Sequence, residues 1–158
     1  MSRFTIRGNV AVEFLASAPV DLAELTASEV TAATDLTGVV AGEALAEMDG
    51  WASSPSTINV PDVKSLTTGN IPGETTFGTA TLTYYTDSAT NAIWDAQTEG
   101  LTGFVAIFPS GSGAGKAYTI FGVQVISRTR MLATGNEAEK HRISYSISSR
   151  TEGEQETP

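Results

Sequence analysis

Near the C-terminus the chain reads His141-Arg142-Ile143-Ser144-Tyr145-Ser146-Ile147-Ser148-Ser149, an alternation of large apolar and small polar residues. Successive side chains of a strand face opposite sides of a sheet, so Ile143, Tyr145 and Ile147 share one face. Arg142, Ser144, Ser146 and Ser148 share the other. A helix would scatter both sets, so the segment is a half-buried strand. The same scheme occurs earlier, with Ala80, Leu82 and Tyr84 against Thr79, Thr81 and Thr83. Two strands of this kind commit the chain to a sheet with one greasy face and one hydroxyl-rich face.

Composition narrows what that sheet can be for. The 158 residues fit one domain, which we place at residues 1–150, followed by an acidic, flexible tail at 151–158. With no cysteine and a single histidine, the chain offers no disulfide framework, no thiolate nucleophile and no thiolate metal site. The net charge of −9 repels phosphate, so sequence-independent nucleic-acid affinity is not expected. Residues 1–7 lack the apolar core of a signal peptide, and no apolar run is long enough to span a membrane.

Along the chain, residues 10–16 read as the first strand. Thr26 and Glu29 have capping-box spacing and predict a short helix of about two turns, with a second strand over residues 36–41. Residues 42–74 are irregular, with Asp49-Gly50 as a turn and Pro55, Pro61 and Pro72 as breakers. This is long for a connection inside a domain, and Trp51, Ile58 and Val60 suggest that it docks on something. A strand over 75–86 and a helix from Asp87 or Ser88 to Gly100 follow. Residues 103–108 form an apolar run, expected to be a strand covered on both faces. A glycine-rich turn leads into a strand over 118–128, and the alternating strand closes the domain.

Candidate chemistry is sparse. Gly111-Ser112-Gly113-Ala114-Gly115-Lys116-Ala117 resembles a phosphate loop, but three residues stand where four are needed before Gly-Lys, and Ala117 cannot ligate a metal. A hairpin loop explains it better. His141, between Lys140 and Arg142, reads as an exposed polar residue on a hairpin shoulder. No catalytic, cofactor-binding or metal-binding residue is assigned, and no cofactor is expected. Arg128, Arg130, Lys140 and Arg142 form a local basic cluster, which either solvates a hairpin or meets carboxylates of a neighbouring copy.

The order of elements is similar to that of the major tail tube proteins of long-tailed, siphovirus-type bacteriophages, especially those infecting actinobacteria. The residues that carry the likeness are Ala18-Pro19, Leu25-Thr26-Ala27-Ser28-Glu29-Val30 and Thr34-Asp35-Leu36. They continue through Asp49-Gly50-Trp51, Ile71-Pro72-Gly73, Ala80-Thr81-Leu82-Thr83-Tyr84-Tyr85, the 87–100 helix and Phe121-Gly122-Val123-Gln124-Val125. The resemblance implies a mainly β chain with one or two short helices, a β-sandwich or split barrel. It implies a structural protein, not an enzyme. Such subunits would form hexameric rings that stack into a hollow tube conducting DNA from capsid to host. Residues 42–74 would be the assembly loop. Trp51, Ile58, Val60, Arg128, Arg130, Lys140 and Arg142 become candidate interface residues, and Thr79, Thr81, Thr83, Ser144, Ser146 and Ser148 candidates for the channel lining. Arg142 shares the serine face, so either it lies at the channel rim or that face is external. Partners implied are further copies of the chain, a tape measure protein, a tail terminator and a distal tail protein. The location implied is the virion tail, with assembly in the host cytoplasm.

Three other readings stay open. One is the inner-tube subunit of a contractile tail or injection machine. Another is a carbohydrate-binding or adhesin module, which needs Trp51 coplanar with Tyr84 or Tyr85 at the surface. The last is a hydrolase, which needs two carboxylates about 5–10 Å apart in a cleft, one of them with a raised pKa.

Overall fold

The two strands with the longest mutual ladder organise the molecule. In the computed structural model, which describes residues 10–37, 43–61, 69–86 and 91–157, the elements run β1 (Ala11–Leu15), α1 (Ala27–Ala32), β2 (Thr34–Asp35) and β3 (Leu45–Asp49). They continue with β4 (Ser53–Val60), β5 (Gly69–Phe77), β6 (Thr79–Tyr85), α2 (Ala92–Ala96), β7 (Thr102–Phe108), β8 (Ala117–Met131) and β9 (Lys140–Glu154). β8 and β9 pair antiparallel from Ala117 opposite Glu154 to Met131 opposite Lys140, a ribbon of 15 residues per strand. Around it forms a seven-stranded sheet in the order β2-β1-β7-β8-β9-β6-β3, with every pair antiparallel.

That sheet curls until its ends meet. The Leu45 N–H donates to the Thr37 carbonyl at 3.1 Å, and the Tyr84 hydroxyl donates to the Leu36 carbonyl at 2.6 Å. The result is a split barrel whose interior is filled by one face of each long strand. Val12 and Phe14 of β1, Val105 of β7, Phe121, Val123 and Val125 of β8 and Leu82 and Tyr84 of β6 meet there. Ile143, Tyr145 and Ile147 of β9 join them, as their alternation requires.

A second, smaller cluster sits outside the barrel wall. Leu25 and the half-buried Leu22 and Val30 pack there against Ala106, Phe108, Tyr118 and Ile120. β7 is therefore covered on both faces, with Val105 inward and Ala106 and Phe108 under the α1 segment. The helix starts where the sequence places it. Thr26 accepts the Glu29 N–H, and the Glu29 carboxylate accepts the Thr26 N–H, a complete capping box.

Several expectations change. β2 is only Thr34–Asp35, earlier and shorter than the strand expected at 36–41, of which residues 38–41 lie outside the described residues. The irregular stretch at 42–74 contains β3 and most of a β4–β5 hairpin. Its prolines misled because Pro55 and Pro72 sit in a two-stranded hairpin, where a strand has a free edge and a missing N–H is tolerated. Of the 87–100 helix, only Ala92–Ala96 is helical, and residues 87–90 lie outside the described residues. The tail expected to be loose from 151 is paired through Glu154. Thr151 and Glu152 stand opposite Ile120 and Thr119, Gln155 is buried, and the Glu156 N–H bonds the Leu25 carbonyl. Backbone ladders need no apolar side chains, so an acidic strand pairs as well as a greasy one when a long partner is available.

Candidate assembly surfaces

Cross-strand register brings the hydroxyl faces of two separate strands together. On the outside of the barrel, Thr79 faces Ser146, Thr81 faces Ser144 and Thr83 faces Arg142. Extending each pair across β8 and β3 gives polar rows. Ser127, Ser144, Thr81 and Asp49 form one, Thr129, Arg142, Thr83 and Glu47 the next. Thr102, Gln124, Ser146 and Thr79 form a third. The lining candidates thus lie on one continuous wetted face, joined by residues the alternation of a single strand could not reveal: Gln124, Thr102, Glu47 and Asp49. Thr83 alone among them is buried, its hydroxyl 3.4 Å from Arg142 Nε.

Ser148 ends the face differently. Gly122 pairs with Ser149 while Val123 pairs with Ile147, so Ser148 bulges out of the ladder and donates to the Gly122 carbonyl at 3.2 Å. A Cβ on Gly122 would stand 2.5 Å from Ser149 Oγ and 2.9 Å from Ser148 Oγ. Glycine here lets the serines lie flat against the wall.

The β4–β5 hairpin is a second surface. Nearly every residue along it is exposed, and it forms its own two-stranded sheet. Ile58 stands directly opposite Ile71, each about half exposed at 53% and 50%, with Val60 beside them at 43%. An isolated hairpin is marginal in water, and three aliphatic side chains on one face leave this arm short of a partner. Ile71 was not singled out by sequence, because only its pairing with Ile58 shows the patch.

Trp51 anchors the arm's base and does not lie free. Its ring meets Phe121 edge-on at 5.3 Å and Tyr145 at 5.6 Å, and its Nε1–H donates to the Thr81 carbonyl at 3.1 Å. Tyr84 is buried in the barrel and Trp51 packs on Phe121 and Tyr145, while the exposed Tyr85 lies beside Lys140 on the other face of the sheet, so neither tyrosine forms a coplanar surface platform with Trp51.

The basic cluster is divided by the sheet. Arg128 and Arg130 each lie 4.8 Å from the Trp94 ring centre, and Arg128 also donates to the Trp94 carbonyl at 2.6 Å. Lys140 and Arg142 are on the opposite face, with Lys140 Nζ 5.2 Å from the Tyr85 ring. His141 corrects the expectation of an exposed shoulder. It is 1% exposed, stacked on Tyr84, edge-on to Trp94, and 3.4 Å from the Glu43 carboxylate, whose other oxygen accepts the Ile93 N–H. Burial, with the Arg130 charge adding to it, pushes the His141 pKa down.

One carboxylate pair is visible. Glu13 stands opposite Asp35 across β1 and β2, and partial burial plus the Asp35 charge push its pKa up to about 7. Asp35 already accepts both the N–H and hydroxyl of Thr37, and neither acid lines any of the concavities seen. Among the described residues no group of three or more His, Cys, Asp or Glu is placed to hold a metal, and no helix is long and apolar enough to cross a membrane.

The family model described as phage tail tube protein matches residues 1–158. The chain belongs to the phage tail tube protein family. Solved structures share its fold at low identity. A chain of the extended-state sheath/tube terminator of an extracellular contractile injection system superposes with a TM-score of 0.63, at 12% identity, over 96% of this chain and 97% of its own. A chain of the anti-feeding prophage baseplate gives 0.62 at 8% identity, covering 96% and 97%. The SPP1 tail tube gives 0.55 at 16% identity, covering 94% and 78%. No curated protein matches in sequence. This tail tube protein is thus a structural subunit of a phage tail, in the mainly β fold that its sequence implied.

Proposed function

We propose that this tail tube protein forms hexameric rings that stack into a hollow tube, and that the hydroxyl face of β8, β9, β6 and β3 lines the channel through which DNA leaves the capsid. The observation that carries the reading is the set of polar rows running across four strands. Such a wall hydrates a passing polyanion without gripping it, and the net charge of −9 adds a repulsive field. Arg142 fits this arrangement as a rim residue. Its row is the one that also holds Glu47, at the end of the face towards Lys140. The β4–β5 arm, with Ile58, Val60 and Ile71, reaches a neighbouring copy and buries its apolar face there. A tape measure protein inside the tube, with terminator and distal tail proteins at its ends, completes the assembly in the virion after synthesis in the host cytoplasm.

Electron microscopy of concentrated protein, paired with its mass in dilute solution, tests this. Hollow tubes with six-fold rings are the expected result. Protein that stays monomeric at every concentration, even when seeded with tube ends, overturns it. The fold shared with contractile injection systems supports a second reading, the inner tube of a contractile tail. A sheath protein coating the tubes in the virion would select it, and bare tubes would select a flexible tail.

A further inference from the structure

Val20 is 96% exposed, the highest value among the exposed large hydrophobics of the described residues, yet it is not loosely held. Its N–H donates to Glu29 Oε1 at 2.9 Å, while Glu29 Oε2 accepts the Thr26 N–H at 2.9 Å. The capping box therefore braces the loop before the helix, and Asp21 tightens it by accepting the Ala23 N–H. The valine is a fixed knob that nothing among the described residues covers. Asp21, Glu24 and Glu156 line a shallow concavity together with it.

At the other end of the β8–β9 ribbon lies a hole. Tyr85, Met131, Leu132, Ala133 and Ala138 wall a concavity of about 440 Å³, rimmed by Lys140 and Glu137. Leu132 is 79% exposed, Tyr85 42% and Met131 38%. The knob is tied to the ribbon's start, where the Glu154 and Glu156 N–H groups bond the Ala23 and Leu25 carbonyls. The hole forms at its finish, where Met131, Lys140 and Tyr85 stand side by side. Fifteen residues at about 3.3 Å each put the two ends roughly 45–50 Å apart.

We propose that Val20 of one copy inserts into the Tyr85–Met131–Leu132 hole of the copy stacked above or below it, with the carboxylates around the knob meeting Lys140. The occupant is a second copy: the knob is apolar and flanked by carboxylates, and the hole is apolar with the Lys140 ammonium on its lining beside Glu137. Among the described residues nothing covers either patch, and they sit at opposite ends of the β8–β9 ribbon. Contacts between unlike surfaces close into a ring or run on as a filament according to the rotation between copies, and patches at opposite ends of one ribbon favour the filament, a column. The inference rests on the tube reading and names the surfaces that join one ring to the next.

Two exposed-site variants test it, Val20→Lys and Leu132→Asp, each checked for an unchanged melting curve. Val20→Lys sets a positive charge against Lys140, and Leu132→Asp puts a carboxylate in the hole. Each variant alone should raise the concentration needed for tubes by at least about tenfold. Mixed after separate assembly, the two retain one intact knob and one intact hole. They should then yield at least a species of twice the mass of either unit, with longer growth wherever the introduced lysine meets the introduced carboxylate. Normal tubes from either single variant, or no doubled species on mixing, overturn the contact while leaving wild-type tubes and the tube reading in place. A wild type that makes no tubes overturns both.

Discussion

Protonating His141 means placing a charge between the rings of Tyr84 and Trp94, with Arg130 nearby. Its folded pKa is below the usual histidine value of about 6.5, so the unfolded chain binds the extra proton more readily. Stability from this group is complete above that value and is lost as pH falls below it. Glu13 works in the opposite sense. Its folded pKa, about 7 against an ordinary 4.5, means that the folded chain holds the proton between those values and loses stability as pH rises through them. Glu13→Gln should therefore stabilise the protein at pH 8, by about 1 kcal/mol once screening at a half-exposed site is allowed for. Urea unfolding of both proteins at pH 5 and pH 8 checks this, and an equal effect at the two pH values would contradict it. The burial of His141 was legible in its phase, since residues 141, 143, 145 and 147 share one face. Its charged neighbours Lys140 and Arg142 obscured that phase.

The elements that sequence located well are those whose signal is local. Thr26 and Glu29 sit three residues apart and cap the helix without help from the rest of the fold. Thr26→Ala should cost about 1 kcal/mol, read as a shift of the urea midpoint. The β4–β5 arm was missed as structure because its strands are prolines, serines and threonines whose pairing depends on each other. Its apolar residues stayed visible as a docking signal. Replacing residues 54–76 by a short glycine-serine linker keeps Trp51 and Phe77, which pack on the core. The variant should remain a folded monomer that unfolds cooperatively in urea, with a far-UV circular dichroism spectrum reduced only by the lost β4–β5 strands, and form no tubes. Normal tubes would remove the arm from assembly. Ile143→Asp should prevent folding outright, because it sets an unpaired charge in the barrel interior.

At the scale of the whole molecule, the proposed channel rests on the polar face. Single-strand alternation showed its two halves at Thr79–Thr83 and Ser144–Ser148. Their meeting depends on long-range register, which no local pattern encodes. Thr81→Lys with Ser146→Lys should still assemble but should retain DNA in a salt-dependent way, measurable by co-sedimentation from about 50 to 200 mM salt. No difference from wild type would place this face outside the channel.

The β8–β9 ribbon has a mechanical consequence. It runs, with two bulges, from the end that carries Val20 to the end that carries Leu132, with its ladder bonds perpendicular to the strands. Because β8 and β9 are joined by the 132–139 turn at the Leu132 end, tension along the ribbon is carried by the covalent backbone of its strands and does not unzip the ladder. Tension pulling the two strands apart at their open end would break the ladder bonds one at a time, like a zipper. A column whose subunits are joined through the two ends of this ribbon is therefore strained in its stiff direction whenever it is stretched, and yields first at the junctions between copies, not within them.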